Sequence, residues 1–194
     1  MSNEGKLWNY FLNVFGNEKA VAGLLGNIKA ESDFLPNNLQ NSFEKSLGSD
    51  VEYTRKVESK EISRASFSHD GAGYGLCQWT FWSRKEGLYD YLKENGMPID
   101  SLFGQAYFCI YELKSNNLLE PLKRCETIRE ASDLILTKYE MPADQSEAVK
   151  KLRCSYGEDI YKRNHKPVEC NDVTISIQKI ENELENLKKL LNLE

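Results

Sequence analysis

Glu31 is the residue of this sequence best placed for acid–base chemistry. It lies in the segment 17–34, NEKAVAGLLGNIKAESDF, whose apolar residues recur at the spacing of an amphipathic helix: Val21, Leu24, Leu25 and Ile28. Asn17 is the predicted N-cap. Because Glu31 falls on the same stripe, near the helix end, its carboxyl group is costly to ionise, and a carboxyl group that keeps its proton can act as a general acid. The alternative is that Glu31 points to solvent from a fraying last turn.

The stretch 71–79, GAGYGLCQW, is the second place where residue types suggest chemistry. Its three glycines allow sharp bending and a close approach to a ligand. Tyr74, Gln78 and Trp79 offer aromatic faces and an amide, the pairing that binds sugar rings and hydroxyl groups. The alternative is a glycine-rich hairpin whose Trp79 anchors the core.

Composition and charge narrow the class of protein. The 194 residues suffice for one domain with a core plus an appendage, and a hydrophobic fraction of 40% with 28% charged residues is ordinary for a globular chain. The net charge of -5 disfavours a sequence-independent nucleic-acid binder. No apolar run approaches the ~20 residues of a membrane span. The N-terminus has no signal-peptide pattern, so we expect synthesis in the cytoplasm.

Cysteines and histidines give no cofactor pattern. The five cysteines are odd in number and form no Cys-x-x-Cys pair, so mostly buried thiols made in a reducing cytosol are expected. His69 and His165 are the only histidines and lack the spacing of zinc ligands. No metal or other cofactor is predicted. A cysteine nucleophile at Cys77, near His69, is disfavoured because buried cysteine is the commoner state.

Helical patterns dominate the remaining chain. Further helices are predicted at 4–16, 80–95, 99–119, 126–140 and 144–163. In these, Trp82 and Leu152 are expected to face inward, and Gln105 and Glu112 to be solvated. The polar, turn-rich segment from Pro36 to Trp79 is predicted to form an irregular lobe with a helical turn and a small β-hairpin.

The last residues have a different pattern. Between 173 and 191, apolar residues alternate spacings of three and four, as in a coiled-coil seam. The predicted organisation is a mainly α, lysozyme-like (α+β) domain over 1–166, followed by a linker and heptad helix over 167–194 that oligomerises or tethers the chain. The alternative is a helix folded back on the domain.

Three motifs, in this order, carry a family resemblance: AVAGLLGNIKAESDFLP, HDGAGYGLCQWTFWSRKEGL and YEMPADQSEAVKKLRCSYG. Together they resemble the phage tail-tip lysozyme family, within the goose-type lysozyme and lytic transglycosylase superfamily. The resemblance spans about Leu7 to Tyr161 and implies a cell-wall glycosidase.

The resemblance also implies roles for individual residues. The family's Glu-Ser pair corresponds to Glu31 and Ser32, with Glu31 as the general acid. The Gly-Leu-x-Gln element at 75–78 resembles the substrate-groove hairpin. Tyr139, Glu140 and Pro142 match a further motif with a structural or groove-lining role, and Met141 departs from that motif, in which a basic residue is usual. The substrate-binding candidates are Ser32, Tyr74, Gln78, Trp79 and Tyr139.

The expected reaction is hydrolysis of the β-1,4-linked glycan of peptidoglycan by a lysozyme-type muramidase. An inverting hydrolase needs a second carboxylate to activate water. Asp70 is the candidate, with a turn-forming role before Gly71 as the alternative, and Glu58 and Glu61 are weaker candidates. Without a second carboxylate, Glu31 alone could support lytic transglycosylase chemistry.

A glycan-binding or structural component of a phage tail or secretion machine is the non-enzymatic alternative. Delivery to the wall would come from the virion tail or from a holin that releases the protein as a bacteriolytic endolysin. The expected partners are peptidoglycan strands, phage tail or secretion-machine proteins, and a second copy through 173–191. Neither nucleic acid nor membrane insertion is expected.

Overall fold

The computed structural model describes residues 1–165 together with Ile180, Glu183 and Leu184. The chain divides into two units, Met1–Asn164 and His165–Glu194. The first is mainly helical, as predicted for a lysozyme-like fold. Most of the heptad segment 173–191 lies outside the described residues, so the coiled coil remains a prediction.

The helices of the first unit are numbered in chain order. Their bounds are α1 Asn3–Phe15, α2 Glu18–Ser32, α3 Glu44–Leu47, α4 Asp50–Glu58, α5 Arg64–His69, α6 Trp82–Glu94, α7 Leu102–Ser115, α8 Leu119–Lys123, α9 Ile128–Ile135 and α10 Glu147–Asn164. A 3₁₀ turn, Asn41–Phe43, precedes α3, and a π-helical turn, Leu136–Glu140, follows α9. In the part of the chain that the structure describes, no helix is long and apolar enough to cross a membrane.

Helix α2 is the centre of this unit. Asn17 caps it as predicted, because its Oδ1 accepts from the backbone N–H groups of Lys19 and Ala20. The helix is not amphipathic in the predicted sense, since every residue from Ala20 to Ile28 is buried. It is enclosed by α1, α9 and α10.

Small residues allow this close packing. A Cβ atom added at Gly23 would lie 2.5 Å from the Ala131 Cβ, and one added at Gly26 would lie 2.4 Å from the Arg153 carbonyl oxygen. These distances are shorter than any van der Waals contact, so α9 and α10 reach the α2 backbone only because both positions are glycine. The last turn of α2 is thereby fixed between two helices.

The lobe between α2 and α6 is more helical than predicted. It contains α3, α4 and α5, and in place of the expected β-hairpin the described residues form isolated antiparallel bridges, Leu39 with Tyr74 and Tyr74 with Trp79. The loop 71–79 bends at Gly75 and Gln78, which have φ angles of 77° and 45°. The turn-forming residues of this loop were predicted from the sequence. The charged and β-branched segments before it form α4 and α5, each of which begins directly after a capping serine, Ser49 or Ser63.

Several orientations differ from those predicted by helical spacing. Leu152 is 49% exposed and Trp82 is 47% exposed, although both were expected to face inward. Gln105 and Glu112, expected to be solvated, are buried. In each case, packing against other helices determines which side of the helix is buried, and the spacing of apolar residues alone does not specify that side.

Candidate active site

A cleft of about 970 Å³ opens beside the end of α2. It receives residues from α2, the loop 71–79, α6 and the segment after α9. Its lining residues are Glu31, Gln40, Cys77, Gln78, Thr80, Phe81, Arg84, Glu140, Met141, Pro142 and Ala143. Two carboxyl groups, an arginine and an exposed aromatic ring therefore share one concave surface.

Glu31 is held at the cleft by an arginine from α10. The Arg153 Nη2 atom donates to Glu31 Oε1 at 2.5 Å, and the two side chains are only 10% and 18% exposed. Among the described residues, the guanidinium donates to Oε1 and no hydrogen bond reaches Oε2 of Glu31. An ion pair this sheltered fixes the orientation of the carboxylate more firmly than a surface pair would.

A buried amide fixes the arginine in turn. Arg153 Nη1 donates to Asn27 Oδ1 at 3.1 Å, and Asn27 Nδ2 lies 2.9 Å from the Gly23 carbonyl and 3.2 Å from both Ser132 oxygens. The chain of contacts therefore runs from α9 through α2 to α10 and ends at Glu31. Each buried polar group in it has a partner, as rigid networks require.

Glu140 is the second carboxyl group in the cleft. It ends the π-helical turn, and the following Met141 has a φ of 48°, in the left-handed region. Burial, reinforced by the nearby Glu31 charge, raises the pKa of Glu140 to about 8. The Oε1 atom of Glu140 is buried and has no hydrogen-bond partner among the described residues. The cleft therefore holds one carboxyl group that is paired with an arginine and one whose pKa is raised by burial.

A third carboxylate, Glu112, organises the wall of the cleft. Its oxygens accept from Trp79 Nε1 and Tyr139 OH at 2.7 Å and from Arg84 Nε and Nη2 at 2.8 Å. Arg84 Nη1 also lies 3.4 Å from the Tyr139 carbonyl oxygen. Glu112 on α7 thus ties the loop 71–79, α6 and the π-helical turn together, next to Glu140.

Asp70 does not lie among the residues that line the cleft. Its Oδ1 accepts from the fully buried Lys85 Nζ at 2.5 Å and from the Ala72 backbone N–H at 2.9 Å, and its Oδ2 accepts from the Tyr53 hydroxyl. Burial lowers the pKa of Lys85, which Asp70 partly offsets. These contacts give Asp70 a structural role and correct the expectation that its carboxylate faces the substrate.

The predicted substrate-binding residues separate into one at the cleft and four in the interior. Gln78 lines the cleft, where its Nε2 donates to the Asn38 and Gly75 carbonyls. Trp79 and Tyr139 are buried against Glu112, and the Tyr74 hydroxyl lies 2.7 Å from Thr54 Oγ1. Their aromatic rings stabilise the core that supports the cleft.

Ser32 connects the end of α2 to the groove loop. Its Oγ lies 2.9 Å from the Leu76 carbonyl and 3.2 Å from the Ile28 carbonyl, so its single hydrogen can be donated to either. Ser32 is buried, and its contact with Leu76 holds the loop next to the turn that carries Glu31.

The weaker carboxylate candidates, Glu58 and Glu61, lie outside the cleft lining, whereas Cys77 belongs to it. Glu61 pairs with Arg55, and Glu58 pairs with Lys93 and accepts from the Ile99 backbone N–H. Cys77 lines the cleft as a free thiol whose pKa is raised by burial. Within the described residues, no group of three or more histidine, cysteine or acidic side chains is arranged to hold a metal ion.

Sequence reasoning did not assign a role to Arg153 and gave Glu140 only a structural or groove-lining one. A signal for Arg153 was present: it stands four residues after Val149 and seven before Ile160, on the inward stripe of α10. A charged residue on such a stripe needs a buried partner. For Glu140 the signal was its position directly after an apolar helix, but only the π-helical turn directs it into the cleft.

Comparison with protein families agrees with the motifs. A family model described as phage tail lysozyme matches residues 2–163. The match covers every element from α1 to α10, apart from the last residue of α10, and stops before the heptad segment.

Proposed function

Since the chain belongs to the phage tail lysozyme family, as the motifs predicted, we propose that it is a muramidase that hydrolyses the β-1,4 glycan strands of peptidoglycan with Glu31 as general acid. The family supports a lysozyme-like, peptidoglycan-degrading function at the cell wall. The choice of bond, the type of reaction and the residues that carry it are our proposal.

The placement of Glu31 carries this proposal. Its carboxyl group lies at the end of a buried helix, lines the cleft and is oriented by Arg153 through one oxygen only. A group that donates a proton to a glycosidic oxygen must be fixed within hydrogen-bond reach of it. The Oε2 atom of Glu31, which accepts no hydrogen bond among the described residues, is the atom that we expect to reach a sugar bound in the cleft.

Exposed groups along the cleft suit a carbohydrate. Phe81 is 62% exposed and lines the cleft, where its ring could stack on a sugar face. Gln40 and Gln78 supply amides on the same surface, and each is fixed by contacts to the backbone of the groove loop or its neighbour. These three residues, in place of Tyr74, Trp79 and Tyr139, are the proposed sugar contacts.

The test is digestion of purified peptidoglycan by the wild type, by Glu31→Gln and by Glu18→Gln, a matched control at the other end of α2. We expect the wild type and the control to release muropeptides with a reducing N-acetylmuramic acid end, identified by mass spectrometry, and Glu31→Gln to release none. A 1,6-anhydro product would instead establish a lytic transglycosylase. If the wild type releases no sugar, the chain has a binding or structural role.

Delivery to the wall is part of the same proposal. We propose that the protein acts from a phage tail, with holin-dependent release as an endolysin as the alternative. The segment 167–194 would attach it to a tail protein or to a second copy. Detection of the protein in purified virions would support delivery by the phage tail, whereas detection only in the lysate supernatant would support release as an endolysin.

A further inference from the structure

Glu140 has an unusual environment for a carboxyl group. Its buried Oε1 has no hydrogen-bond partner among the residues that the structure describes, and leaving a buried polar atom unpaired is destabilising. Among the described residues one other buried side-chain oxygen is in this state, Asp133 Oδ1, and Asp133 does not line the cleft. Glu140 therefore combines an unsatisfied polar atom with access to the space in which a ligand would bind.

The backbone around Glu140 is specialised as well. The Met141 N–H donates to the Leu136 carbonyl at 2.9 Å, which closes a turn of π-helix. Single π-helical turns occur frequently at functional sites, and a non-glycine residue with positive φ, here Met141, stores strain. These irregularities place Glu140 in the cleft beside Glu31.

Burial is the main cause of the raised pKa of Glu140, and the charged groups that face it from four helices modify that effect. They are Glu31 from α2, Arg84 from α6, Glu112 from α7 and Arg153 from α10. Both arginines form ion pairs with other residues, Arg84 with Glu112 and Arg153 with Glu31. Within the described residues Glu140 therefore has no ion pair of its own, and the charges of Glu31 and Glu112 add to the effect of burial.

We propose that Glu140 is the second catalytic carboxyl group of the cleft, and that Glu31 and Glu140 hold a single proton between them. This inference rests on the proposed function, because acid–base hydrolysis of a glycosidic bond requires one protonated and one ionised carboxyl group. In the structure Glu31 is bound to Arg153, and Glu140 is buried with an unpaired oxygen, an environment that raises its pKa.

One proton shared by Glu31 and Glu140 is sufficient for the whole reaction. The proton first moves from Glu140 to Glu31 when substrate fills the cleft. Glu31 then gives it to the glycosidic oxygen as the bond to C1 breaks, and a water oxygen adds to C1. The water proton goes to the ionised Glu140. One proton again resides on Glu140, and Glu31 is again the carboxylate paired with Arg153.

The experiment compares Glu140→Gln with Asp133→Asn, the control with the same kind of unpaired buried oxygen outside the cleft. We expect Glu140→Gln to lower the initial rate of sugar release from peptidoglycan by at least ~100-fold, the scale of lost general base catalysis. Asp133→Asn should keep the wild-type rate. Glu140→Asp retains the carboxyl group and should recover part of the activity, and thermal unfolding reports whether each variant is folded.

A titration tests the shared proton without relying on activity or on a variant of Glu140. The carboxyl carbons of ¹³C-labelled glutamate are followed by NMR in the wild type and in Glu31→Gln. We expect Glu140 to titrate well above ordinary glutamate in the wild type and at lower pH in Glu31→Gln, which removes one of the facing charges. Ordinary titration of Glu140 in the wild type overturns the inference even where Glu140→Gln fails to fold.

The remaining outcomes separate this inference from the proposed function. A wild-type rate in Glu140→Gln, with Glu31→Gln inactive, overturns the role of Glu140 alone. An anhydro product also overturns it, because no water is activated, while glycan cleavage by Glu31 stands. Absence of any release by the wild type overturns both.

Discussion

Arg153 and Glu31, 122 residues apart in sequence, meet at 2.5 Å where α10 crosses the end of α2. The contact joins the carboxylate at the cleft to a buried network that continues through Asn27 to Ser132. Orientation of the carboxylate thus depends on three helices, of which only α2 carries it.

Replacing Arg153 with lysine should lower kcat by about 100-fold, with a smaller change in KM. Lysine cannot donate to Asn27 and Glu31 in the same fork, and a small misplacement of a catalytic group has an effect of this order. Steady-state rates on soluble peptidoglycan fragments measure the two constants. Lys151→Arg, an exposed position on the same helix, is the control, and an equal loss there would contradict the positioning role.

Asp70→Asn should destabilise the fold by about 3–5 kcal/mol, because it leaves the buried Lys85 charge without its carboxylate. Chemical denaturation measures the free energy of unfolding. The double variant Asp70→Asn with Lys85→Met should regain stability relative to the single one, since no uncompensated charge remains. A stable, folded and inactive Asp70→Asn protein would instead return Asp70 to the list of catalytic carboxylates.

Stability should fall as pH rises through the Glu140 titration. The pKa of Glu140 is about 8 in the folded protein and about 4.5 as its reference value. Between these values the native state binds the proton and the unfolded state does not, so the contribution is present at low pH and is lost as pH rises towards 8. The slope is at most about 1.4 kcal/mol per pH unit.

Glu140→Gln provides the control for that pH dependence, because glutamine has no proton to lose. The difference in unfolding free energy between this variant and the wild type should shift in favour of the variant from pH 5 to pH 8.5. A difference that does not vary with pH would mean that Glu140 is ionised throughout. Urea titrations at several pH values give the comparison.

Gly26→Ala should destabilise the protein by about 1–3 kcal/mol and reduce activity together with stability. The new Cβ atom would lie 2.4 Å from the Arg153 carbonyl oxygen and 2.7 Å from the Gly157 nitrogen, so α10 must move and carry Arg153 with it. Gly5→Ala is the matched control, because its Cβ would meet only side chains of the N-terminal residues. We expect that change to be neutral or stabilising, through better helix propensity.

Phe81→Ala should raise KM for glycan several-fold and leave the melting temperature unchanged. Phe81 is an exposed ring at the cleft, so its removal takes away a stacking surface without opening a cavity. Phe103→Ala, a partly exposed ring on α7 outside the cleft lining, is the comparison. Equal effects of the two changes on KM would place the sugar contact elsewhere.

The sequence alone was sufficient to predict the local helices and to identify Glu31 as the candidate general acid. Helix α2, its Asn17 cap and the position of Glu31 follow from helical spacing and capping chemistry, which act within a few residues. The Gly16 cap of α1 was predictable in the same way, and its φ of 63° fits that role. The motifs also identified the family over residues 2–163.

Only the tertiary structure decided which polar groups face the cleft. Spacing could not show that Glu112 is the buried acceptor for Trp79, Tyr139 and Arg84, because these partners lie 27 to 33 residues away. Spacing also could not show that Asp70 forms an ion pair with Lys85, or that a π-helical turn places Glu140 in the same cleft as Glu31. Local sequence is sufficient to determine the helices. Which carboxyl groups are buried, paired or close enough to share a proton depends on contacts between distant segments, and these form only when the helices pack.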